Sequence, residues 1–321
     1  MKNQKIRTTC GLACLVFTIF GWGLSFLGTK TLLNNYSPVE IIFFRYLLSY
    51  VGLFLIFPKP FLYKGWKFEL LCFLAAIFGV SIYQYLENIA IDKTSASNVS
   101  IIISCSSFFT AIFTTLILKS EKIGVNFIIG FIFSIVGVIL VSFNGAIHFE
   151  FNPLGDFLTF GCAILWGLYS VTVSKLNKYN YNIVQVTRRI MLYGVIQIIP
   201  IFLICHGQIN FSRFIESYNW FWLLFLGILC GTICFMTWNY SVNVLGPVKT
   251  SLAMYVQPIV TIIFGAIWFG EEIKLMGVFG ALAVIAGLML STTKFIDNYI
   301  AKKKNKDKEE IPNEKEELEA K

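Results

Sequence analysis

The chain has 321 residues, of which 56% are hydrophobic and only 14% are charged. An ordinary soluble domain carries about 25% charged residues, and a membrane-spanning helix uses roughly 20 mostly apolar ones. The composition therefore excludes a soluble globular protein, a disordered chain and a nucleic-acid-binding domain, and the formal net charge of +8 first needs a membrane explanation.

Ten apolar segments follow one another along the chain, and each is long enough to cross a bilayer. We predict helices over residues 10–33, 38–57, 68–90, 95–118, 124–145, 154–176, 183–205, 218–242, 247–269 and 273–293. The links between them are short and carry turn residues such as those of Asn152-Pro153 and Gly246-Pro247. A β-barrel would instead show alternating segments of about ten residues. The prediction is an all-α integral membrane protein with ten transmembrane helices.

The basic residues predict the orientation in the membrane. With the N-terminus inside, ten Lys and Arg side chains fall in cytoplasmic loops, and only Lys93, Arg213 and Lys274 fall outside. Because Lys and Arg favour the cytoplasmic side, we expect a multi-pass plasma-membrane protein with both termini in the cytoplasm. Residues 294–321 contain eight Lys and eight Asp or Glu, which predicts a charged, disordered cytoplasmic tail.

The sequence repeats itself once. The segment Trp22-Gly23-Leu24 matches Trp166-Gly167-Leu168, and an arginine follows each Trp after 23 residues, at Arg45 and Arg189. The stretch 95–113 aligns without gaps on 246–264. We therefore expect two five-helix repeats, residues 10–145 and 154–293. Because five is odd, the second repeat enters the membrane from the opposite side, an arrangement typical of secondary transporters.

Together these features resemble the EamA-type branch of the drug/metabolite transporter superfamily over about residues 10–293. The resemblance is carried by the Trp-Gly segments, by Pro38-x-Glu40-x-x-x-x-Arg45, by the acidic turns at Glu121 and Glu271-Glu272, and by the Gly-spaced fifth and tenth helices. It implies a secondary transporter that moves a small metabolite by alternating access. Amino acids are the leading substrate class and export is the expected direction. It also implies that the fifth and tenth helices pack together, away from a cavity that the other eight line.

Small residues support that packing. Gly130 and Ser134 share one face of the fifth helix, as do Ala283 and Gly287 on the tenth. Small faces let membrane helices approach closely. We expect a packing role for them, and the alternative of a homodimer interface stays open.

Aromatic and polar residues within the spans are the candidates for the substrate site. The predicted cavity-lining residues are Trp22, Ser25, Tyr83, Gln84, Glu87, Asn88, Ser104, Trp166, Tyr169, Trp238, Asn239, Asn243, Tyr255 and Gln257. Pro258 is expected to kink the ninth helix and to free a carbonyl for the substrate.

Glu87 is the acid closest to a helix interior. It either faces the cavity, where it would bind an amine or carry a coupling proton, or it meets water at the outer interface. Arg45 and Arg189 occupy equivalent repeat positions and are expected to be structural or gating residues, with contact to a substrate carboxylate as the alternative.

Two other functions remain open. A carrier of sugars or of phosphorylated or nucleotide-linked compounds would need Lys249, Arg45 and Arg189 to face the cavity. A non-transporting membrane enzyme or receptor would be favoured by a structure with no cavity between the halves. No metal-ligand or nucleotide-binding motif is present, so we predict no cofactor and no catalytic residue. The expected partners are a small-molecule substrate and membrane lipid, with no nucleic acid.

Overall fold

The computed structural model describes residues 2–60, 62–119, 124–143, 152–210, 212–269 and 275–292, and the regular elements in these ranges are all helical. The first half contains α1 (Lys2–Leu32), α2 (Pro38–Ile56), α3 (Trp66–Lys93), α4 (Ala96–Leu118) and α5 (Val125–Phe143). The second half contains α6 (Pro153–Asn177), α7 (Ile183–Ile204), α8 (Asn219–Leu245), α9 (Pro247–Trp268) and α10 (Leu275–Thr292). Two short helical turns, Ser212–Ile215 and Glu216–Tyr218, precede α8.

A helix forms in each of the ten predicted segments. Within the described residues, eight helices are long and apolar enough to cross a membrane, and α5 and α10 contain the shorter apolar stretches Val125–Gly137 and Val278–Ser291. The predicted tail at 294–321 lies outside the described residues, as do the acidic turns at Glu121 and Glu271-Glu272.

Local sequence signals decide where several helices begin. Ser37 caps α2 by accepting a hydrogen bond from the Glu40 amide, the Glu40 carboxylate accepts one from the Ser37 amide, and Pro38 starts the first turn. The amides of α6 and α7 are capped in the same way by the side chains of Asn152 and Asn182. These caps matter because the first amides of a helix have no partner within the helix.

Four of the described helices are irregular along their length. The chain leaves helical geometry at Val80 and Ser81 in α3, and tightens into a 3₁₀ turn at Ala253–Val256 in α9. It turns at Cys105 in α4, and it widens into π geometry at Thr114–Leu118 in α4 and at Phe225–Cys234 in α8. Val80 and Ser81 are fully buried. Irregular backbone is tolerated at membrane depth only where other protein segments cover it, and the break in α3 is covered in this way.

The helix contacts reproduce the duplication seen in the sequence. α1 packs on α8 as α6 packs on α3, and α1 packs on α9 as α6 packs on α4. α2 packs on α8 as α7 packs on α3. Two further contacts join helices that are repeat equivalents of each other, namely α2 with α7 and α5 with α10. Each contact therefore recurs when every helix is exchanged for the one five positions away.

The two halves run in opposite directions. The Ser241 hydroxyl donates to the Gly11 carbonyl (2.8 Å), which joins the start of α1 to the end of α8. The Asn152 side chain donates to the Lys93 carbonyl (3.0 Å), which joins the start of α6 to the end of α3. Because Lys30, near the end of α1, also reaches the end of α3, α1 finishes where α6 begins. We call this side the α1–α2 end and the opposite side the α2–α3 end.

α5 and α10 pack through small residues and lie to one side of the main core. A methyl group on Gly287 would come within 2.6 Å of the Gly130 carbonyl oxygen, and one on Gly137 within 2.6 Å of the Val284 amide. The two backbones therefore touch, as the small faces predict. This contact leaves the other eight helices to form the interior.

We expect the Gly287→Ala variant to be less stable than the native protein. Its methyl group would meet backbone, which cannot rotate away, and overpacking of this kind costs about 1–3 kcal/mol. The melting temperature of the detergent-purified protein measures the effect. Gly161→Ala is the matched control, because nothing lies within 4 Å of a methyl group there. Equal melting temperatures for the two variants would contradict close packing of α5 on α10.

Candidate functional site

A buried cavity lies among α1, α2, α3, α6, α8 and α9, three helices from each half. Its apolar wall consists of Trp22, Phe26, Trp166, Phe235 and Met254. Its polar lining consists of Ser25, Arg45, Tyr83, Gln84, Glu87 and Gln257. We call this space the central cavity.

The repeated tryptophans meet at the wall of this cavity. The rings of Trp22 and Trp166 pack edge to face with centroids 5.0 Å apart, a favoured aromatic geometry. The rings of Phe235 and Trp238 complete the cluster. The Trp22 indole donates to the Cys230 carbonyl (3.2 Å), whereas the indole nitrogens of Trp166 and Trp238 are buried and have no hydrogen-bond partner among the described residues. The cluster therefore contains two unused donors, and Trp166 is the one that lines the cavity.

The regular segment of α3 that follows its break brings the acid into the cavity. The Glu87 carboxylate accepts a hydrogen bond from the side-chain Nε2 of Gln84, and the side-chain Oε1 of Gln84 accepts one from the Tyr46 hydroxyl (3.1 Å). Glu87 is only 5% exposed. Of the two sequence-based alternatives for this residue, the structure therefore excludes contact with bulk water. Gln84 therefore orients the Glu87 carboxylate, and Tyr46 orients Gln84.

Arg45 supplies the opposite charge. It is 2% exposed and lies 5.6 Å above the Tyr46 ring. Its Nε and Nη1 atoms are buried without a hydrogen-bond partner. Among the described residues, no carboxylate lies within 4 Å of its guanidinium. Arg45 therefore presents unused donors to the cavity.

The cavity thus combines a cation and an anion that are not paired with each other. A buried charge is costly unless it is paired and hydrogen-bonded. The side-chain carbonyl oxygen of Gln257 is also buried and has no hydrogen-bond partner among the described residues. The arrangement can take up a ligand that carries a negative and a positive group, with an apolar part against the aromatic wall.

The cavity is closed in this conformation. Each of its lining residues is at most 5% exposed, and its free volume is ≈ 20 Å³, enough for about one water molecule. A metabolite can enter only if one end of the helix bundle opens.

Polar contacts between the halves close the α1–α2 end. The Glu40 carboxylate lies 3.6 Å from the Arg213 guanidinium and accepts a hydrogen bond from the Gln208 amide (2.8 Å). The Asn35 side chain reaches Asn219 (3.2 Å). Burial raises the pKa of the neighbouring Tyr36 phenol. The loop before α2 is therefore tied to the loop before α8.

A second set of contacts closes the α2–α3 end. The Arg188 guanidinium donates to the carbonyls of Phe57 and Lys59, at the end of α2. The Glu69 carboxylate lies 3.7 Å from the Arg189 guanidinium and accepts a hydrogen bond from Tyr193 (2.9 Å). α7 of the second half is therefore tied to α2 and α3 of the first.

The structure brings together half of the predicted lining residues. Those that line the central cavity are Trp22, Ser25, Tyr83, Gln84, Glu87, Trp166 and Gln257, and Arg45 joins them.

The other predicted lining residues lie elsewhere. Tyr169 and Asn239 form a hydrogen-bonded chain with Thr187 behind the aromatic cluster. Asn88 donates to the Pro38 carbonyl, and the Ser104 hydroxyl donates to the Ile101 carbonyl. Trp238 supports the tryptophan cluster. Tyr255 belongs to a separate core against α5, and Asn243 is exposed on α8.

Pro258 does not free a carbonyl in the way the sequence suggests. The carbonyl that a proline at this position deprives of its partner belongs to Met254. In the structure it accepts a hydrogen bond from the Gln257 amide, because the chain tightens into a 3₁₀ turn. The expected kink is therefore a local tightening that brings Met254 and Gln257 to the cavity.

Three lining residues were missed, namely Phe26, Phe235 and Met254. Helical spacing could have identified two of them. Phe26 is four residues after Trp22 and so shares its face, and Met254 is three residues before Gln257. Phe235 lies three residues before the predicted Trp238, but Trp238 is not itself a lining residue, so this spacing does not identify Phe235 reliably, and the preceding segment has π geometry.

Each half of the chain matches a known family. Residues 9–143 and residues 153–293 both match the profile of the EamA-like transporter family. A solved crystal structure, 15% identical, superimposes with a TM-score of 0.68 over 89% of this chain and 95% of its own, which shows a common fold.

Among curated proteins, the chain is similar to several transporters. An uncharacterized transporter of Archaeoglobus fulgidus is 29% identical over 87% of this chain and 96% of its own length. The uncharacterized transporter YdfC of Bacillus subtilis is 25% identical over 89% and 94%. A probable terminal-alkyne amino-acid exporter of Streptantibioticus cattleyicolor is 22% identical over 86% and 91%.

We expect a cysteine placed in the cavity to be protected from thiol reagents. The variants are made in a background whose four incompletely buried cysteines are replaced by Ala. There Ser25→Cys should react with N-ethylmaleimide at least about tenfold more slowly than Asn243→Cys, because the reagent reaches the cavity only after a local opening of the protein. The measurement is the labelling rate by mass spectrometry. Equal rates would contradict a closed cavity.

The contacts of the α1–α2 end predict a further effect on the same labelling rate. Arg213→Gln removes the cation beside Glu40 and should speed labelling of Ser25→Cys, since opening of that end becomes easier. Lys178→Gln, which neutralises an exposed Lys in the α6–α7 loop, should leave the rate unchanged. If both changes have the same effect, Arg213 does not hold the cavity closed.

Proposed function

The chain belongs to the EamA-like transporter family and is a multi-pass membrane transporter. On this premise we propose that it exports a small zwitterionic metabolite of the amino-acid class across the plasma membrane by alternating access. One observation carries the proposal: Arg45 and Glu87 line the same buried cavity without pairing with each other.

A zwitterion satisfies both charges at once. In the proposed complex the substrate carboxylate accepts hydrogen bonds from Arg45, whose donors are unused. The substrate ammonium donates to Glu87 and to the Gln257 carbonyl. Hydrogen bonds to charged groups contribute about 1.5–3 kcal/mol each, and in a closed cavity water does not compete for them.

The wall of the cavity favours a substrate with an apolar side chain. Trp22, Phe26 and Phe235 carry no charge and line the cavity together with the polar groups. Apart from Arg45 and Glu87, none of the lining residues carries a charge at pH 7. A third charge, on the substrate side chain, would therefore lose its hydration without gaining a partner.

The closed cavity and the two sets of end contacts support alternating access. A metabolite is larger than the space available, so one end must open while the other stays closed. In the proposed cycle the Glu40–Arg213 contact breaks for exchange at the α1–α2 end, and the Arg188 and Glu69 contacts break for exchange at the opposite end. The repeat supports this cycle, because inverted halves often rock around a site between them.

Export of an amino acid is also supported by similarity. One relative is named a probable amino-acid exporter. The observed charges support this class over phosphorylated or nucleotide-linked substrates, since Lys249 lines a separate groove and Arg189 lines another pocket. A membrane enzyme or receptor would have been favoured by halves with no cavity between them.

The test is amino-acid exchange in proteoliposomes. We expect counterflow of neutral, apolar amino acids with the native protein. Arg45→Gln and Glu87→Gln should each lower the uptake rate at low substrate concentration by roughly 10- to 100-fold, which corresponds to one lost charged hydrogen bond. Arg45→Lys should recover part of the loss because it keeps the charge but not the planar fork.

Asp92→Asn is the matched control for Glu87→Gln. It neutralises another carboxylate on α3, five residues further on, whose side chain is 42% exposed, and exchange should be unchanged. If the native protein moves no amino acid, or if Glu87→Gln behaves like Asp92→Asn, the proposed substrate contacts are wrong.

The same variants separate two roles for Glu87. If Glu87 binds the substrate amine, Glu87→Gln should impair exchange with and without a pH gradient. If Glu87 only carries a coupling proton, exchange at equal pH should persist, and only uptake driven by the gradient should be lost. Arg45, Tyr46, Tyr83 and Cys162 are the other ionisable groups around it, and these variants leave Tyr46, Tyr83 and Cys162 intact.

A further inference from the structure

A second pocket lies between α2 and α7, at the α2–α3 end. It is lined by Tyr50, Phe54, Pro60, Arg188, Arg189 and Leu192, and its volume is ≈ 180 Å³. We call it the Arg188 pocket. It shares no lining residue with the central cavity, and the transport scheme above assigns it no ligand.

The cations of this pocket are held in place by the protein. Arg188 is only 6% exposed, and its guanidinium is fixed by hydrogen bonds to the carbonyls of Phe57 and Lys59. These bonds neutralise no charge, because both acceptors are backbone carbonyls. Arg189 lies 3.7 Å from Glu69, the one carboxylate that the structure describes next to the pocket. The described residues at the pocket therefore include two arginines and one acid, which contacts Arg189.

The adjoining loop adds further positive charge. Lys59, Lys64 and Lys67 all lie in the link between α2 and α3 or in the first turn of α3. The pocket thus sits in a region where basic residues outnumber acidic ones. The sequence assigns this end of the protein to the cytoplasm, where the inner membrane surface carries anionic lipid.

Apolar stripes lead from the pocket along the membrane-facing surface. On α7, Leu192, Ile196 and Ile199 continue the face of Arg189 at helical spacing, and both isoleucines are exposed. On α2, the exposed side chains of Phe54, Val51 and Leu47 continue from the pocket in the same way. A basic pocket is therefore joined to an apolar strip between two helices.

We propose that the Arg188 pocket binds the headgroup of an anionic phospholipid, with the acyl chains lying along the stripes of α2 and α7. The phosphate accepts hydrogen bonds from Arg188 and Arg189, which match its geometry better than lysine does. Basic pockets between transmembrane helices on the cytoplasmic side are suited to such headgroups. Because α2 and α7 belong to different halves, the bound lipid bridges the contact that closes the α2–α3 end.

A lipid fits the pocket better than a soluble phosphate compound. Phe54 is 45% exposed and Leu192 is half-buried, so the pocket opens sideways onto the apolar surface rather than only onto water. A soluble anion gains nothing from those walls, whereas acyl chains bury them.

Native mass spectrometry of the full-length, detergent-purified protein tests the proposal. We expect phosphatidylglycerol to be retained and phosphatidylcholine with the same acyl chains to be lost at equal collision energy. Arg188→Gln should weaken phosphatidylglycerol binding about fivefold, the usual effect of one basic charge near a membrane surface. Leu192→Trp keeps every charge but fills the pocket, and it should also weaken binding.

Lys178→Gln is the matched control, since it removes one basic charge predicted on the same side but outside the pocket, and binding should be unchanged. Equal retention of the two lipids would overturn the proposal, as would variants that bind like Lys178→Gln. Displacement of the lipid by millimolar inorganic phosphate would show a soluble-anion site and would also overturn it. If Arg188→Gln fails to fold, Leu192→Trp and the comparison of the two lipids still decide.

Discussion

The separation of two opposite charges inside one closed cavity is the constraint around which this protein is organised. Arg45 and Glu87 come from different helices of the first half, and each would lower its energy by direct contact with the other. Instead, each group contacts neighbouring side chains. Gln84 fixes the carboxylate and is itself held by Tyr46, and the Tyr46 ring lies beneath the guanidinium. A separated pair is costly for the empty protein, and in the proposed complex a zwitterion that joins the two charges offsets that cost.

The backbone serves the same site. In the hydrocarbon region each amide and carbonyl needs a partner within the protein, so most of the chain is regular helix. Three of the irregular segments adjoin the cavity. The break in α3 at Val80 and Ser81 precedes Tyr83, the π segment of α8 ends just before Phe235, and the 3₁₀ turn of α9 contains Met254. In these three helices the irregular backbone therefore lies next to lining side chains.

Duplication places equivalent residues in unequal environments. Trp22 and Trp166 are repeat partners and contact each other at the cavity wall, so the axis that relates the two repeats runs between them. Arg45 and Arg189 are also repeat partners, yet Arg45 lines the central cavity and Arg189 lies beside Glu69 at the α2–α3 end. The acid near each arginine, Glu87 in the cavity and Glu69 beside Arg189, lies on α3 of the first half. One arginine thus lies in the cavity between the halves, and the other forms an ion pair between them at one end.

The sequence by itself determined the helical membrane class, the ten apolar segments and the duplication, because hydrophobic length and repeated motifs are local properties of the chain. Half of the residues that it predicts for the site line the central cavity, among them Trp22, Tyr83, Glu87 and Gln257, which belong to aromatic or polar clusters within apolar spans. Only the tertiary structure decided which of these clusters face one another. Asn239 and Asn243 share a helical face, yet Asn239 is buried against Tyr169 and Asn243 is exposed. Periodicity assigns a residue to a helix face, but the packing of other helices decides what that face contacts. In α8 and α9 the contacts also depend on π and 3₁₀ geometry, which no local sequence pattern predicts.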